Sequence, residues 1–379
     1  MSFRLSDEQA AIRSGVREFG EAEVRPVAKE YNREKRYPEE LRQLAAEHDL
    51  VAPHIPEEYG GAGMDQVSNL VVTEELWRAD PGVGGAISAA DFGTGMILEY
   101  GDEWMRERWL PSITGGETSI ATAISEPGHG SNVAGMETKA EKEDGEWVIN
   151  GQKMWITNGT VADVAIIMAK TTPAAGRKGI TAFLTPTDVP GYQASTIDNK
   201  LGIKAADTAE IYIDDLHVPA SNVVGEHDKG FYQLMGFFAP ARANVGAQAV
   251  GVSQAALEQA VDYATDREQF DQPIAEFQAI RHKLAEMATG LEAARSLTYR
   301  AGEAIESGSD AEGSRLASMA KLYASERSVD ITDEAIQVHG GAGYVGDHDV
   351  ERYYRDARIT KIYDGTSEIQ KNIIAEDLL

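Results

Sequence analysis

Gln337-Val338-His339-Gly340-Gly341-Ala342-Gly343-Tyr344, Arg355-Asp356-Ala357-Arg358 and Ile362-Tyr363-Asp364-Gly365-Thr366-Ser367-Glu368-Ile369-Gln370 follow one another near the end of the chain. Within the first, Gly341-Ala342-Gly343-Tyr344-Val345-Gly346 is a literal G-x-G-x-x-G. A dinucleotide fingerprint needs a strand before it and a helix opening within it, so that phosphate meets a helix N-terminus. Residues Val329 to Val338 read as helix instead, and a doubly wound nucleotide fold is set aside. The stretch belongs to a block of long helices that starts near Phe231 and is broken by Pro273 and by Ser307-Gly308-Ser309.

Upstream of that block the hydrophobic period changes twice. Residues 6 to about 117 read as helix. Ser6-Asp7-Glu8-Gln9 is a capping-box pattern, and Leu5, Ile12, Val16 and Phe19 follow at roughly helical spacing. Pro38 is suited to a first helical turn, and Tyr59-Gly60-Gly61-Ala62-Gly63 interrupts the pattern before it resumes near Val67. From about Thr118 short apolar runs take over: Trp147-Val148-Ile149, Ala165-Ile166-Ile167-Met168, Ile180 to Leu184 and Ile211-Tyr212-Ile213. Asp144-Gly145 and Asn150-Gly151 read as turns bounding the first of these. The expected fold is α+β: an N-terminal helical domain over residues 1–117, a small antiparallel barrel over 118–228, and a C-terminal four-helix bundle over 229–379.

Asp and Glu outnumber Lys and Arg by 62 to 35, giving a net charge of -27 over 379 residues. A distributed acidic surface opposes nucleic-acid binding and repels itself, and is better tolerated where salt screens it. A high-salt cytoplasm is the expectation, with an ordinary acidic enzyme as the alternative. The absence of cysteine excludes disulfides and thiolate chemistry. Met1 to Glu8 holds no apolar signal-peptide core and no uncharged apolar run approaches transmembrane length, so a soluble cytoplasmic protein is expected, with no membrane partner. No H-E-x-x-H spacing supports a metal site, and neither Ser125 nor Ser131 sits in a G-x-S-x-G elbow.

Six segments, in register along the whole chain, resemble the acyl-CoA dehydrogenase family. They are the C-terminal stretch quoted above, Ala123 to Asn132, Gly151 to Gly159, Leu201 to Glu210, Arg242 near the start of a long helix, and Asp266-Arg267-Glu268-Gln269-Phe270 with Phe277-Gln278. The resemblance implies an FAD-dependent dehydrogenase that passes electrons to an electron-transfer flavoprotein. It implies FAD between the barrel and the C-terminal helices, with Ile124 and Ser125 at the flavin pyrimidine, Trp155 over one flavin face and Thr157 near N5. A buried barrel tryptophan is the alternative for Trp155. Arg267 is implied at the FAD pyrophosphate, with Gly130, Ser131, Phe270, Gln278, Gln337, Gly340, Gly341, Thr366 and Glu368 completing the cofactor set. Much of this set acts across a subunit interface in the family, which implies a dimer at least and usually a homotetramer.

In the family a carboxylate followed by Gly-Thr removes the α-proton of an acyl-CoA. The usual residue is Glu, and this sequence has Asp364, about 1.5 Å shorter. Family relatives that carry the base beside Arg242 offer no alternative, because Ala239, Pro240 and Ala241 stand there. Asp364 is therefore the expected base, its backbone N–H and a flavin ribityl hydroxyl the donors to the thioester oxygen. Ser131, Arg242, Gly365 and Asp91 are the expected substrate contacts. Asn132 departs from the family's Gly-Ser-Asp, and Ala239 lacks the acidic residue that many relatives place beside the CoA tail. Asp91, in the helix expected to line the acyl pocket, is either an exposed or capping residue or a polar group beside an unusual, even cyclic, acyl chain. A nitroalkane-oxidase-like enzyme, which uses Asp as base, and a non-catalytic FAD-binding scaffold are the competing functions.

Overall fold

The computed structural model describes residues 4–308 and 310–379. Met1, Ser2, Phe3 and Ser309, which entered the sequence reading of the N-terminus and of one helix break, lie outside the described residues.

The N-terminal part is helical: α1 (Asp7–Phe19), α2 (Ala28–Glu34), α3 (Glu39–Ala46), α4 (Gln66–Ala79), α5 (Pro81–Ser88), α6 (Thr94–Tyr100) and α7 (Glu103–Thr114). The capping box is present, since the Ser6 hydroxyl accepts from Gln9 N at 3.1 Å and the Gln9 side chain accepts from Ser6 N at 3.0 Å. Pro38 is the N-cap of α3 rather than a first-turn residue. From Val67 to Ala79 α4 is buried on every side, although it carries Glu74, Glu75 and Arg78. Burying a charge is costly unless it is paired. Each of these is paired: Glu75 with Arg17 at 2.9 Å, Glu74 with Arg295 at 3.0 Å, and Arg78 with Glu258 at 2.8 Å. These pairs tie α4 to α1 and to the C-terminal helices. At Gly251 the backbone of α4 comes so close that a Cβ would lie 2.3 Å from Glu74 O.

The middle part is a single sheet of β1 (Ile120–Ala123), β2 (Lys139–Glu143), β3 (Glu146–Thr157), β4 (Val164–Lys170), β5 (Ile180–Pro186), β6 (Tyr192–Thr196), β7 (Thr208–Pro219) and β8 (Val223–Val224). Its order is β6-β7-β3-β2-β4-β5-β8, with β1 on β4. Most pairs are antiparallel as expected, while β1 and the single β2 contact run parallel to β4, which makes the sheet mixed. Asp144-Gly145 forms the β2–β3 turn, both residues at positive φ. Asn150-Gly151, expected as a turn, is instead an irregularity inside β3, where the register on β7 shifts between Ile149 and Gly151. The Asn150 side chain accepts from Asp215 N at 2.8 Å, so the Asx residue bonds to the neighbouring strand rather than closing a turn.

The C-terminal part consists of α8 (Gly230–Asp266), the short hairpin β9 (Glu268–Gln269) and β10 (Gln272–Pro273), α9 (Gln278–Glu306), α10 (Asp310–His339), α11 (Val350–Ala357) and α12 (Ser367–Leu378). Helices α8, α9 and α10 pack against one another, and α12 lies on α10. Gly340–Tyr344 is a short 3-10 turn closing α10, so the G-x-G-x-x-G stretch follows a helix, as the sequence implied. Polar links fasten the three parts: Thr122 Oγ1 donates to Phe92 O at 2.7 Å, Asn158 Nδ2 to Ala89 O at 2.7 Å, and Ile203 N to buried Asp356 at 2.6 Å. Among the described residues, no helix is long and apolar enough to cross a membrane.

Candidate active site

Asp364 sits on a turn between α11 and α12 whose backbone is left-handed twice, with φ of 51° at Asp364 and 92° at Gly365. A non-glycine residue pays for such a conformation unless its surroundings fix it. The surroundings here are α10 and α12. Lys321 Nζ donates to Gly365 O at 2.6 Å, and Gln370 Nε2 donates to Asp364 O at 3.1 Å and to Gly365 O at 2.8 Å. Both side chains are fully buried. Five residues beyond Lys321, Glu326 accepts from Ser367 Oγ at 2.7 Å and pairs with Lys361 at 2.5 Å. Further along the same helix, Ser328 Oγ meets Thr360 Oγ1 at 3.5 Å. Helix α10 thus grips the segment from Thr360 to Ser367.

Burial pushes the Asp364 carboxyl up to about 6, against the opposing pull of the Lys321 and Arg242 cations. Burial in turn draws Lys321 down to about 8 and lowers Arg242, with Asp364 the carboxylate acting against both shifts. Arg242, on α8, lies with its guanidinium 5.4 Å from the Phe238 ring centre, and its Nε is buried without a hydrogen-bond partner among the described residues. A carboxylate poised near neutrality beside cationic donors can take a proton from a weak carbon acid and stabilise the charge that results.

Asp91 lies in the α5–α6 connection, half-buried, with Oδ2 3.6 Å from His54 Nδ1. Burial raises its carboxyl and His54 lowers it. It is neither exposed nor a helix cap, since Gly93 takes the N-cap position of α6. The neighbouring Phe92 meets Phe237 of α8 edge-on at 5.2 Å.

A second group of residues lies on the sheet. Trp155 bulges out of β3, with φ of 66°, where the register on β7 shifts between Met154 and Ile156. It is 59% exposed, so it is not a barrel-core residue. Met154 N donates to Ser125 O at 2.9 Å, which sets Ile124 and Ser125 beside the bulge, with Thr157 two residues further along the strand opposite Thr208. Beneath them Lys153 is fully buried and donates to Ile124 O at 3.1 Å and to Glu126 Oε1 at 3.0 Å. Glu126 also accepts from Thr138 N at 2.9 Å and Thr138 Oγ1 at 2.6 Å. Lys153 and these hydrogen bonds hold its carboxyl down at about 2 against the effect of burial. Gly130 and Ser131 lie exposed in the loop that follows.

The remaining expected cofactor residues lie elsewhere. Thr366 caps α12, its hydroxyl accepting from Ile369 N at 3.5 Å, and Glu368 is exposed in the first turn. Gln337 stands sixteen residues beyond Lys321 on α10, about 24 Å along the axis. Gly340 and Gly341 follow it, with open space where a Cβ would be. Arg267 closes α8, about 37 Å along the axis from Arg242. Phe270, 88% exposed, tips the β9–β10 hairpin and meets Phe277, and exposed Gln278 opens α9. Arg267, Phe270, Gln278, Gln337, Gly340 and Gly341 are not brought to Asp364 within one chain, whereas Thr366 and Glu368 follow it directly.

Lys321, Gln370, His54 and the Lys153–Glu126 pair are the site residues that sequence reasoning missed. The available signal for Lys321 was a lone cation on the face of α10 that carries Leu316, Ala317, Ala320 and Ala324.

Three family models match in succession: the N-terminal domain of acyl-CoA dehydrogenase over residues 6–117, its middle domain over 121–216 and its C-terminal domain over 228–379. The chain belongs to the acyl-CoA dehydrogenase family. It is 40% identical over 376 residues to an acyl-CoA dehydrogenase of Bacillus subtilis (strain 168), with 99% of each chain covered. The structure of butyryl-CoA dehydrogenase from Megasphaera elsdenii matches it with a TM-score of 0.96 and 35% identity, covering 100% of both chains. A glutaryl-CoA dehydrogenase from Mycobacterium smegmatis in complex with FADH2 matches with a TM-score of 0.91 and 31% identity, covering 99% of this chain and 95% of that one. Like other acyl-CoA dehydrogenase family members, the chain is an oxidoreductase and FAD is its cofactor. The residues present fit that group, with an exposed indole held out on a bulge and, at the far helix ends, exposed donors beside open glycines.

Proposed function

We propose that this enzyme dehydrogenates an acyl-CoA thioester to the enoyl-CoA, with Asp364 as the base that removes the α-proton. The observation that carries this reading is the Asp364 turn itself, a half-buried carboxylate on a left-handed backbone clamped by Lys321 and Gln370; burial pushes that carboxyl up toward neutrality. Bound FAD supplies the hydride acceptor for the β-carbon. The thioester oxygen gains negative charge as the proton leaves, and the backbone N–H of Asp364 is the donor offered to it. Gly365 leaves room for the thioester, and Arg242 adds positive charge to the same site. Ile124, Ser125, Gly130, Ser131, Trp155 and Thr157 hold the flavin ring and its edge, with Thr366 and Glu368 turned toward the cofactor.

The axial separations along α8 and α10 support a flavin site shared between subunits. Arg267, Phe270, Gln278, Gln337, Gly340 and Gly341 of one chain would then serve the FAD of another, within a homotetramer. A monomer in light scattering that retains one FAD per chain would contradict this. An electron-transfer flavoprotein is the proposed electron acceptor and a high-salt cytoplasm the proposed setting.

A second reading concerns the substrate. Asp91, in the connection that packs on α8 five residues before Arg242, and His54 form a polar pair 3.6 Å apart. The pair favours an acyl group with a polar or ring substituent over a plain alkyl chain, because a half-buried polar pair gains more from a polar neighbour than from an alkyl one.

The deciding experiment is anaerobic flavin bleaching with a panel of straight, branched and cyclic acyl-CoAs, in the parent and in Asp364→Asn. The parent should bleach and the variant should bind FAD without bleaching. Near-normal bleaching by Asp364→Asn would remove Asp364 from the role. Rapid oxygen consumption with nitroalkanes, and none with acyl-CoAs, would favour the nitroalkane-oxidase-like alternative.

A further inference from the structure

We propose that Lys321 is a positioning residue for the base: its buried ammonium fixes the Asp364–Gly365 turn through the Gly365 carbonyl and sets a positive charge against the base. The inference rests on the reading of Asp364 as the base.

The geometry comes first. Lys321 is completely buried on α10, and its ammonium donates to Gly365 O at 2.6 Å. Gln370 Nε2 reaches the same oxygen at 2.8 Å from α12, so that carbonyl receives two donors from two helices. A Cβ at Gly365 would lie 2.6 Å from Gln370 Nε2, so the clamp fits only because that position is glycine. A neutral donor such as Gln370 would suffice to hold a carbonyl. Burying an ammonium for the same task is costly, and its added effect is electrostatic.

The charges near the turn are few. Lys321 faces Asp364, Arg242 from α8, Glu326 on its own helix and Glu368 on α12. Asp364 faces Lys321 and Arg242, with the Tyr363 phenol next to it in the chain. Glu326 is already engaged by Lys361 and Ser367. Glu368 is exposed to solvent, and Asp364 is the carboxylate that acts most strongly on Lys321. Burial alone would drive the Asp364 carboxyl higher than it stands, and Lys321 is the larger of the two charges opposing that.

The test follows the protonation of Asp364 in the FAD-loaded protein. Its titration is read from infrared difference spectra between the parent and Asp364→Asn, and from the acid limb of flavin reduction by butyryl-, isobutyryl- and cyclohexanecarbonyl-CoA. Lys321→Met should raise the titration point by about one unit, which is about tenfold in rate on the acid limb. Lys321→Arg, which keeps the charge, should return the titration toward the parental pH. Should Lys321→Met fail to fold, Lys321→Gln keeps an N–H donor for the Gly365 carbonyl and loses the charge, and should show the same rise. A titration point unchanged in the neutral variant, with the flavin spectrum intact, overturns the proposal. The infrared arm needs no turnover, so it reports on Lys321 even if Asp364→Asn still reduces flavin and the base lies elsewhere.

Discussion

Lys153 Nζ lies 3.0 Å from Glu126 Oε1, and both side chains are buried. Lys153 immediately precedes Met154, whose N–H bonds Ser125 O, and Trp155, which bulges toward the proposed flavin face. Glu126 immediately follows Ser125. The pair therefore ties together the two backbone segments assigned to the isoalloxazine, from beneath the sheet.

Lys153→Met should leave Glu126 as a buried anion without its cation, a loss of about 3–5 kcal/mol for pairs of this kind. The expected result is a lower melting temperature and weaker FAD retention. Lys153→Met combined with Glu126→Gln should recover much of the melting temperature, because the amide oxygen still accepts from Thr138 and no charge is stranded. Thermal unfolding followed by flavin release checks both.

Flavin reduction should rise with pH through about 6 and level off above it, since only ionised Asp364 can accept the α-proton. Below that point the rate should fall tenfold per unit. A rate that is flat from pH 5 to pH 8 would contradict the assignment. Asp364→Glu should lower the rate on the order of a hundredfold, because the Lys321 and Gln370 bonds fix the backbone and the added methylene misplaces the carboxylate by about 1.5 Å. Stopped-flow reduction across pH in both proteins is the measurement.

Asp91→Ala and His54→Ala should each lower turnover with ring-bearing or polar acyl-CoAs and change it little with butyryl-CoA. The double variant should be no worse than either single one if the two act as a pair. Equal losses across all acyl-CoAs would assign the pair a structural role only.

Stability and activity should increase with salt. At a net charge of -27 the surface repels itself, and the screening length falls from about 10 Å at 0.1 M to about 3 Å at 1 M. Equal melting temperatures in dilute buffer and in concentrated KCl would reject adaptation to high salt.

By itself the sequence determined the α–β–α order, the helix before the glycine-rich stretch and the Ser6–Gln9 capping box. These depend on local periodicity and on contacts a few residues apart. It also pointed to Asp364-Gly365-Thr366 as the segment proposed to carry the base, because that motif is contiguous. It failed at Asn150-Gly151, where bonding to a neighbouring strand overrode the turn preference of the pair. Lys321, 43 residues from Asp364, and Lys153, 27 residues from Glu126, carry no local mark of their partners. Only the packing of α10 against the C-terminal turn, and of β3 against the Ile124–Glu126 segment, decided what those buried charges touch. An ammonium hidden from water is defined by the acceptors that surround it, and those are set by tertiary structure.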